Sequence, residues 1–482
     1  MANINPILNT DGYKLSHARM YPPNATQLYS YIEARGVSSD FKVHPAFKED
    51  PEIVHFGSKI ISEKLLNEWV VTNEHFREAE EILESYGIEW NKAGFRKIID
   101  VYGGYFPVNV YGLLDGTVIT DHVPQLAIYN TDPEMLWAVS YLETALLSIV
   151  WQGSTVATLS RAIKRVINRY LDISTDTTEG LPFKLHDFGQ RGTSESAAMI
   201  AGLAHLVNFQ GTDTLLSLLA GKRYFNATSL GFSVPASEHS TITSWGREHE
   251  VDAYRNFLNI FGKPGAIISC VSDSYDIFNA CENLWGGDLR QQVIDSGAVL
   301  VVRPDSGDPV DVVFQVVSIL ADRFGTTTNS KGYRVLNNVR VLQGDGVNAL
   351  SIGDILNKLV SNGFSADNVV FGMGGQLLQA PTRDSLKYAM KASAVKVAGK
   401  WRDVYKDPIT DQGKRSSAGI VVPVKYPDGS LYSSRVKAID DVQYNSSFTR
   451  LYDLQQMSQF VSDFIPSGYY DTFDQVRARA KL

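Results

Sequence analysis

The sequence predicts an α/β protein with two parts: a (β/α) barrel-like domain that carries the chemistry, and a sheet-containing α+β domain built from both ends of the chain. Three observations lead there. Seven apolar, strand-like runs follow one another through the middle of the chain, each ending in a small polar cluster. Helix-like segments usually separate them, which is the rhythm of β–α units on a parallel sheet. The two flanks lack that rhythm and mix short strands with helices.

In order, the runs are Phe183-Lys184-Leu185 into His186-Asp187-Phe188-Gly189, Leu206 to Phe209 into Gly211-Thr212-Asp213, and Phe232-Ser233-Val234 into Ser237-Glu238-His239. Then come Ala266 to Val271 into Ser272-Asp273-Ser274, and Ala298 to Val302 into Arg303-Pro304-Asp305-Ser306-Gly307. The last two are Val339 to Leu342 into Gly344-Asp345-Gly346, and Val369 to Phe371 into Gly372-Met373-Gly374-Gly375. Continuous apolar strands suit burial on both faces. Ser194 to Val207, Val310 to Phe324 and Ala349 to Val360 place apolar residues at helical spacing, and Gln376 to Ala380 is helix-like. A closed barrel is the economical arrangement, with its active site at the C-terminal strand ends. An open doubly wound sheet shares the same unit and stays the alternative.

The barrel-like domain is expected over 176–391 and the second domain over 1–175 and 392–482. In the second, Gln27 to Ile32, Phe106 to Tyr111 and Gly419 to Lys425 read as strands and Lys59 to Val71 as a helix. Tyr426-Pro427-Asp428-Gly429 is a hairpin turn. Val37 to Pro51 reads as a loop and Gly325 to Lys331 as a polar turn.

Composition excludes several classes. The 482 residues are 44% hydrophobic and 20% charged, enough for a large core. A net charge of −8 argues against sequence-independent nucleic-acid binding, so positive charge for an anionic ligand must be local. Two cysteines, Cys270 and Cys281, make neither a disulfide framework nor a zinc motif. No signal-peptide pattern and no apolar run of membrane-spanning length is visible. The expectation is a cytoplasmic enzyme without a membrane or nucleic-acid partner.

Acids and bases gather at the strand ends: His186, Asp187, Arg191, Asp213, Glu238, His239, Asp273, Arg303, Asp305 and Asp345. Helix capping accounts equally well for any single one. A shared mouth holding both Arg and Asp suits a sugar phosphate, with guanidinium for phosphate and carboxylate for hydroxyls. The Gly372-Met373-Gly374-Gly375 turn admits phosphate against backbone N–H groups, or is a plain tight turn. Arg383, Lys391, Lys406, Lys414 and Arg415 form a late basic group that is either a solvated face or a pyrophosphate site. His239 beside Glu238 is a base, a metal ligand, a phosphate acceptor or a capped surface histidine, and no paired-His spacing favours a metal.

Whole strings resemble a known family. His186-Asp187-Phe188-Gly189-Gln190-Arg191-Gly192, Asn208 to Asp213 and Val234-Pro235-Ala236-Ser237-Glu238-His239-Ser240 are similar to the core of the nicotinamide phosphoribosyltransferases. So are Val271 to Asp276, Arg303 to Gly307, Gln343 to Gly346, Lys406-Asp407-Pro408, Thr10 to Lys14 and Tyr21 to Asn24, in the same order over nearly the whole chain. Gln190 and Ala389 depart from the pattern: animal members carry an aromatic residue at the first, and a small hydroxyl residue is usual at the second.

The resemblance implies an irregular type II phosphoribosyltransferase barrel plus a sheet domain, acting as a homodimer with shared active sites. It implies that nicotinamide and phosphoribosyl pyrophosphate are substrates and ATP a co-substrate. Mg2+ would be held mainly through pyrophosphate and water, not by a protein metal site. Phe188 would stack on the pyridine ring, with Tyr13 of the other subunit opposite and Asp11 near it. Arg191 would line the slot and Asp213 would accept from the carboxamide. Arg303, Asp305, Gly344 and Asp345 would hold the ribose phosphate, and Gly374 and Gly375 the 5′-phosphate. Arg35, Arg383, Lys391, Lys406 and Lys414 would bind pyrophosphate or ATP phosphates. His239 would be phosphorylated, with Glu238 and Asp273 as acidic partners. Retention of His239, Asp213, Arg303 and Asp305 together argues against a non-catalytic relative.

Overall fold

The computed structural model describes residues 4–43, 47, 51–407, 409–410, 417–454 and 471–482. Two sheets organise it. A six-stranded antiparallel sheet runs in the order Lys400–Asp403, Ala389–Val397, Ala25–Glu33, Leu126–Asn130, Val108–Gly112, Thr449–Asp453, so strands from both ends of the sequence lie side by side. A six-stranded parallel sheet runs Gly211–Thr212, Leu185–Asp187, Val369–Met373, Val339–Gln343, Val299–Arg303, Ile267–Val271. Its strands are short and largely buried, as continuous Val/Ile/Leu runs demand.

The parallel sheet curls, and the segment 232–237 joins its two edges. Phe232 bridges Gly211 and Ala236 bridges Ser269. The Thr212 N–H donates to the Phe232 carbonyl (3.0 Å) and the Ser269 N–H to the Pro235 carbonyl (2.9 Å). The sheet is therefore an irregular barrel, not an open doubly wound sheet. The run Phe232-Ser233-Val234 forms only these isolated bridges and no regular strand, because Pro235 has no N–H to continue a ladder.

Other boundaries differ from expectation for local reasons. Leu181–Phe183 is a 3-10 turn, and the strand begins at Leu185, so His186 and Asp187 are strand residues and Asp187 is fully buried. Leu206 to Phe209 is not a strand: the N–H groups of Leu206 and Asn208 donate back to Gly202 and His205, extending the end of helix Glu195–His205. Thr326–Thr328 pairs with Arg334–Leu336, so the expected polar turn contains a strand. The helix from Ser58 runs through a π turn and ends at Glu68. The 32-residue helix Glu143–Ser174 packs against the barrel helices Glu195–His205 and Ala349–Ser361. Among the described residues no helix is long and apolar enough to cross a membrane.

Candidate active site

The strand ends converge on one mouth. Phe188 leaves its strand with its N–H on the Met373 carbonyl (3.0 Å). Its ring lies on Gly372, where a Cβ would come within 2.0 Å of a ring carbon, so that glycine is required by space. The Asp213 N–H donates to the Asp187 carbonyl (2.9 Å), and its exposed carboxylate accepts the Ser233 hydroxyl. The Arg303 guanidinium stands 5.5 Å from the centre of the Phe188 ring. It donates through Nε (3.2 Å) and Nη2 (2.8 Å) to Asp305 Oδ1. A Cβ on Gly344 would lie 3.2–3.3 Å from Arg303 Nε and Nη2 and 3.3 Å from Asp305 Oδ1, so the absence of a side chain there lets the ion pair sit against the loop.

Behind this mouth a cavity of about 360 Å³ enters the barrel. Asp213, Phe188, Arg303 and His186 line it, and Phe183, Phe232 and Ile267, all partly exposed, also form its wall. Burial pushes the His186 imidazole down, and the nearby Asp213 charge only partly opposes this. The aromatic walls and the few polar groups at the mouth suit a flat, mostly apolar ring with one hydrogen-bonding substituent.

His239 stands on the rim. Its Nε2 is 2.9 Å from Asp273 Oδ1. Asp273 Oδ2 accepts the Asp305 N–H (3.1 Å) and the Ser306 hydroxyl (2.6 Å). A carboxylate engaged this way accepts only, so Nε2 is the donor, and in the neutral ring Nδ1 keeps the lone pair. Glu238 does not share this ion pair. It stands at the start of the helix His239–Thr243, where its N–H donates to the Thr241 hydroxyl (3.3 Å) and its carboxylate accepts the Ser240 hydroxyl.

A second group lies on the antiparallel sheet. Lys391 faces Tyr31 in the ladder. Burial, with Arg35 and Lys406 as neighbouring cations, pushes its ammonium down. Glu33, buried beside it, is pushed up by burial. Asp11 accepts the Thr144 hydroxyl (2.7 Å) and the buried Lys14 pairs with Glu143 (2.6 Å). Between these anchored residues Tyr13 is 59% exposed.

Arg191 is exposed in the turn after Phe188, and Asp345 is exposed beyond its strand. Gly374 and Gly375 open the short helix Gly375–Leu378. Arg383 pairs with Asp384 (3.1 Å). Lys414 and Arg415 lie outside the described residues, as do Pro408 and part of the 37–51 loop. Ser233 on Asp213 and Ser306 on Asp273 were missed. Only Ser306 had a signal, as the small hydroxyl directly after Asp305.

Residues 183–477 match the nicotinate phosphoribosyltransferase family, and residues 5–110 match the nicotinamide phosphoribosyltransferase N-terminal domain. The chain is 45% identical to a nicotinamide phosphoribosyltransferase of Xanthomonas campestris pv. campestris (strain 8004), over 99% of this chain and 98% of that protein. It is 30% identical to one from Acinetobacter baylyi, over 88% and 89%. Two solved structures share the fold. They are nicotinate-nucleotide pyrophosphorylase from Pyrococcus furiosus (TM-score 0.60, 16% identity, 100% and 96% coverage) and human nicotinic acid phosphoribosyltransferase (0.54, 15%, 98% and 92%).

Proposed function

This chain belongs to the nicotinate phosphoribosyltransferase family, in its nicotinamide phosphoribosyltransferase branch, and we propose that it joins nicotinamide to phosphoribosyl pyrophosphate, releasing nicotinamide mononucleotide and pyrophosphate. It is a pentosyltransferase, and the proposed reaction is a cytoplasmic step of NAD salvage. The observation that carries the reading is the mouth itself. Phe188, Asp213 and the Arg303–Asp305 pair stand together, so a ring slot with a hydrogen-bond acceptor adjoins an Arg–carboxylate site for a sugar phosphate.

The pyridine nitrogen has a free lone pair and needs no base. It attacks the ribose C1 as the C1–O bond to pyrophosphate breaks and the electron pair leaves with that oxygen. The work of the chain is alignment and stabilisation of the departing charge. Asp305 would accept from the ribose hydroxyls while Arg303 faces phosphate. When bound, Mg2+ supplies further neutralisation on the pyrophosphate. The exposed Asp345 is a hard oxygen donor that fits such an ion held largely by substrate and water.

We assign ATP to His239. Nδ1 would take the γ-phosphoryl group, the bond to the β-phosphate oxygen breaking as ADP leaves, while Asp273 holds Nε2–H. The second group would serve another subunit's mouth in a homodimer. Tyr13 would cover the opposite ring face, and Arg35, Lys391 and Lys406 would meet pyrophosphate. The exposure of Tyr13 between anchored neighbours supports that arrangement.

The test is incubation with nicotinamide and phosphoribosyl pyrophosphate, with and without ATP. Products are identified by mass spectrometry and pyrophosphate release is measured. Nicotinamide mononucleotide in stoichiometry with pyrophosphate, raised by ATP, is expected. Absence of both products would overturn the reading, and lack of any ATP effect would overturn the assignment of ATP.

A further inference from the structure

Two turns of the mouth are packed as one body. The turn after Leu185–Asp187 carries Phe188, and the turn after Val369–Met373 carries Gly374 and Gly375. Beyond the Phe188–Met373 hydrogen bond and the ring lying on Gly372, Gly189 rests on Leu378, where a Cβ would meet Cγ at 2.6 Å. Gly192 faces Gly375, the position of a Cβ lying 3.6 Å from its Cα. A single side-chain hydrogen bond completes the contact: the Thr193 hydroxyl donates to Gln379 Oε1 at 2.9 Å.

That last bond differs from the others. It is made by two side chains, and Gln379 is exposed. An exposed hydrogen bond contributes little to stability and costs side-chain freedom. Its position is nevertheless specific. Thr193 stands directly before Ser194, the cap of helix Glu195–His205. Gln379 directly follows the short helix opened by Gly375, and its N–H returns to the Gly375 carbonyl (2.9 Å). A shift of either turn is therefore felt at this bond.

We propose that the Thr193–Gln379 pair is a positioning clasp that couples the ring slot to the phosphate turn, so that phosphoribosyl and pyridine ligands bind cooperatively. The proposal rests on the functional reading above, in which Phe188 meets the pyridine and Gly374 and Gly375 meet the 5′-phosphate. Neither Thr193 nor Gln379 touches a ligand in this account. The clasp narrows the positions each turn samples, and a ligand that fixes one turn lowers the cost of fixing the other. By linkage the effect is the same in both directions.

The test is calorimetric titration of the full-length protein with nicotinamide, alone and with saturating ribose 5-phosphate, which has no leaving group. In the parent, ribose 5-phosphate should tighten nicotinamide binding. In Thr193→Val the tightening factor should fall by roughly threefold, the low end of the worth of one hydrogen bond, while each ligand alone binds within about twofold of the parent. Thr193→Ser, which keeps the donor, should restore the coupling, and Gln379→Leu should behave as Thr193→Val. An unchanged tightening factor in Thr193→Val, or none in the parent, would overturn the clasp. Failure of the parent to bind either ligand would instead overturn the functional reading and the clasp with it.

Discussion

Asp273→Asn tests the chemistry assigned to His239. The Asp273 side chain is 5% exposed and receives three donors: His239 Nε2 at 2.9 Å, the Asp305 N–H at 3.1 Å and the Ser306 hydroxyl at 2.6 Å. Asparagine keeps the volume but has one acceptor oxygen. The Asp305 N–H and the Ser306 hydroxyl both point at one position, so the amide oxygen belongs there and the NH2 group faces His239. The ring must then present a bare Nε2 and carry its proton on Nδ1. The nitrogen assigned to accept phosphate thereby loses its lone pair. Restoring the reactive tautomer costs a hydrogen bond to a charged group, about 1.5–3 kcal/mol, so phosphorylation should slow by roughly ten- to a hundredfold. The assay is rapid-quench incorporation of label from γ-labelled ATP into acid-labile protein phosphate, beside ATP-independent nicotinamide mononucleotide synthesis. Loss of labelling with synthesis within a few-fold of the parent is expected. Labelling at the parental rate would refute the tautomer argument.

Gly344→Ala should lower kcat/KM for phosphoribosyl pyrophosphate about tenfold, because a Cβ crowds the Arg303–Asp305 pair at 3.2–3.3 Å; steady-state kinetics indistinguishable from the parent would contradict the tight approach. Burial pushes the Asp187 carboxyl up to about 6, so the unfolded chain releases this proton at lower pH than the folded one, and the group costs stability as pH rises from about 4 through 6. The stability of Asp187→Asn relative to the parent should therefore improve between pH 4 and 7, by on the order of 3 kcal/mol; denaturant melts showing a pH-independent difference would be inconsistent with a buried ionising Asp187. Mixing inactive Phe188→Ala with inactive Lys391→Ala should regain about a quarter of parental activity if each site draws on two subunits of a homodimer. No recovery after subunit exchange, verified by differently tagged subunits, would mean that each site lies within one subunit.

Legibility in the sequence followed physical cause. Val299–Arg303, Val339–Gln343 and Val369–Met373 were readable because strands buried on both faces need unbroken apolar runs, and the barrel then puts the next polar residues at the mouth. The same reasoning failed at Leu206 to Phe209, which is apolar because it is buried but turns back on its helix. Apolarity reports burial, not conformation. Phe232-Ser233-Val234 also reads as a strand from its apolar ends, yet Pro235 limits this closing segment to isolated bridges. At the site, residues directly after strands could be picked out from sequence. Partners from other elements could not, since Ser233 reaches Asp213 and Thr193 reaches Gln379 only in the folded chain. Glu238 looked like a companion of His239 because the two are adjacent, yet its contacts are with Thr241 and Ser240 at the helix start.

The central claim is that the mouth takes nicotinamide in preference to nicotinate, and the kcat/KM ratio for the two pyridines measures it directly. A nicotinate carboxylate placed about 4 Å from Asp213 meets a repulsion of about 1 kcal/mol in water-like surroundings and about 4 kcal/mol nearer a protein-like dielectric. Asp213 is exposed at the mouth, so the lower part of that range applies. A preference for nicotinamide of at least about fivefold from this residue is expected, shrinking by that factor in Asp213→Asn. Equal or better use of nicotinate by the parent would contradict it.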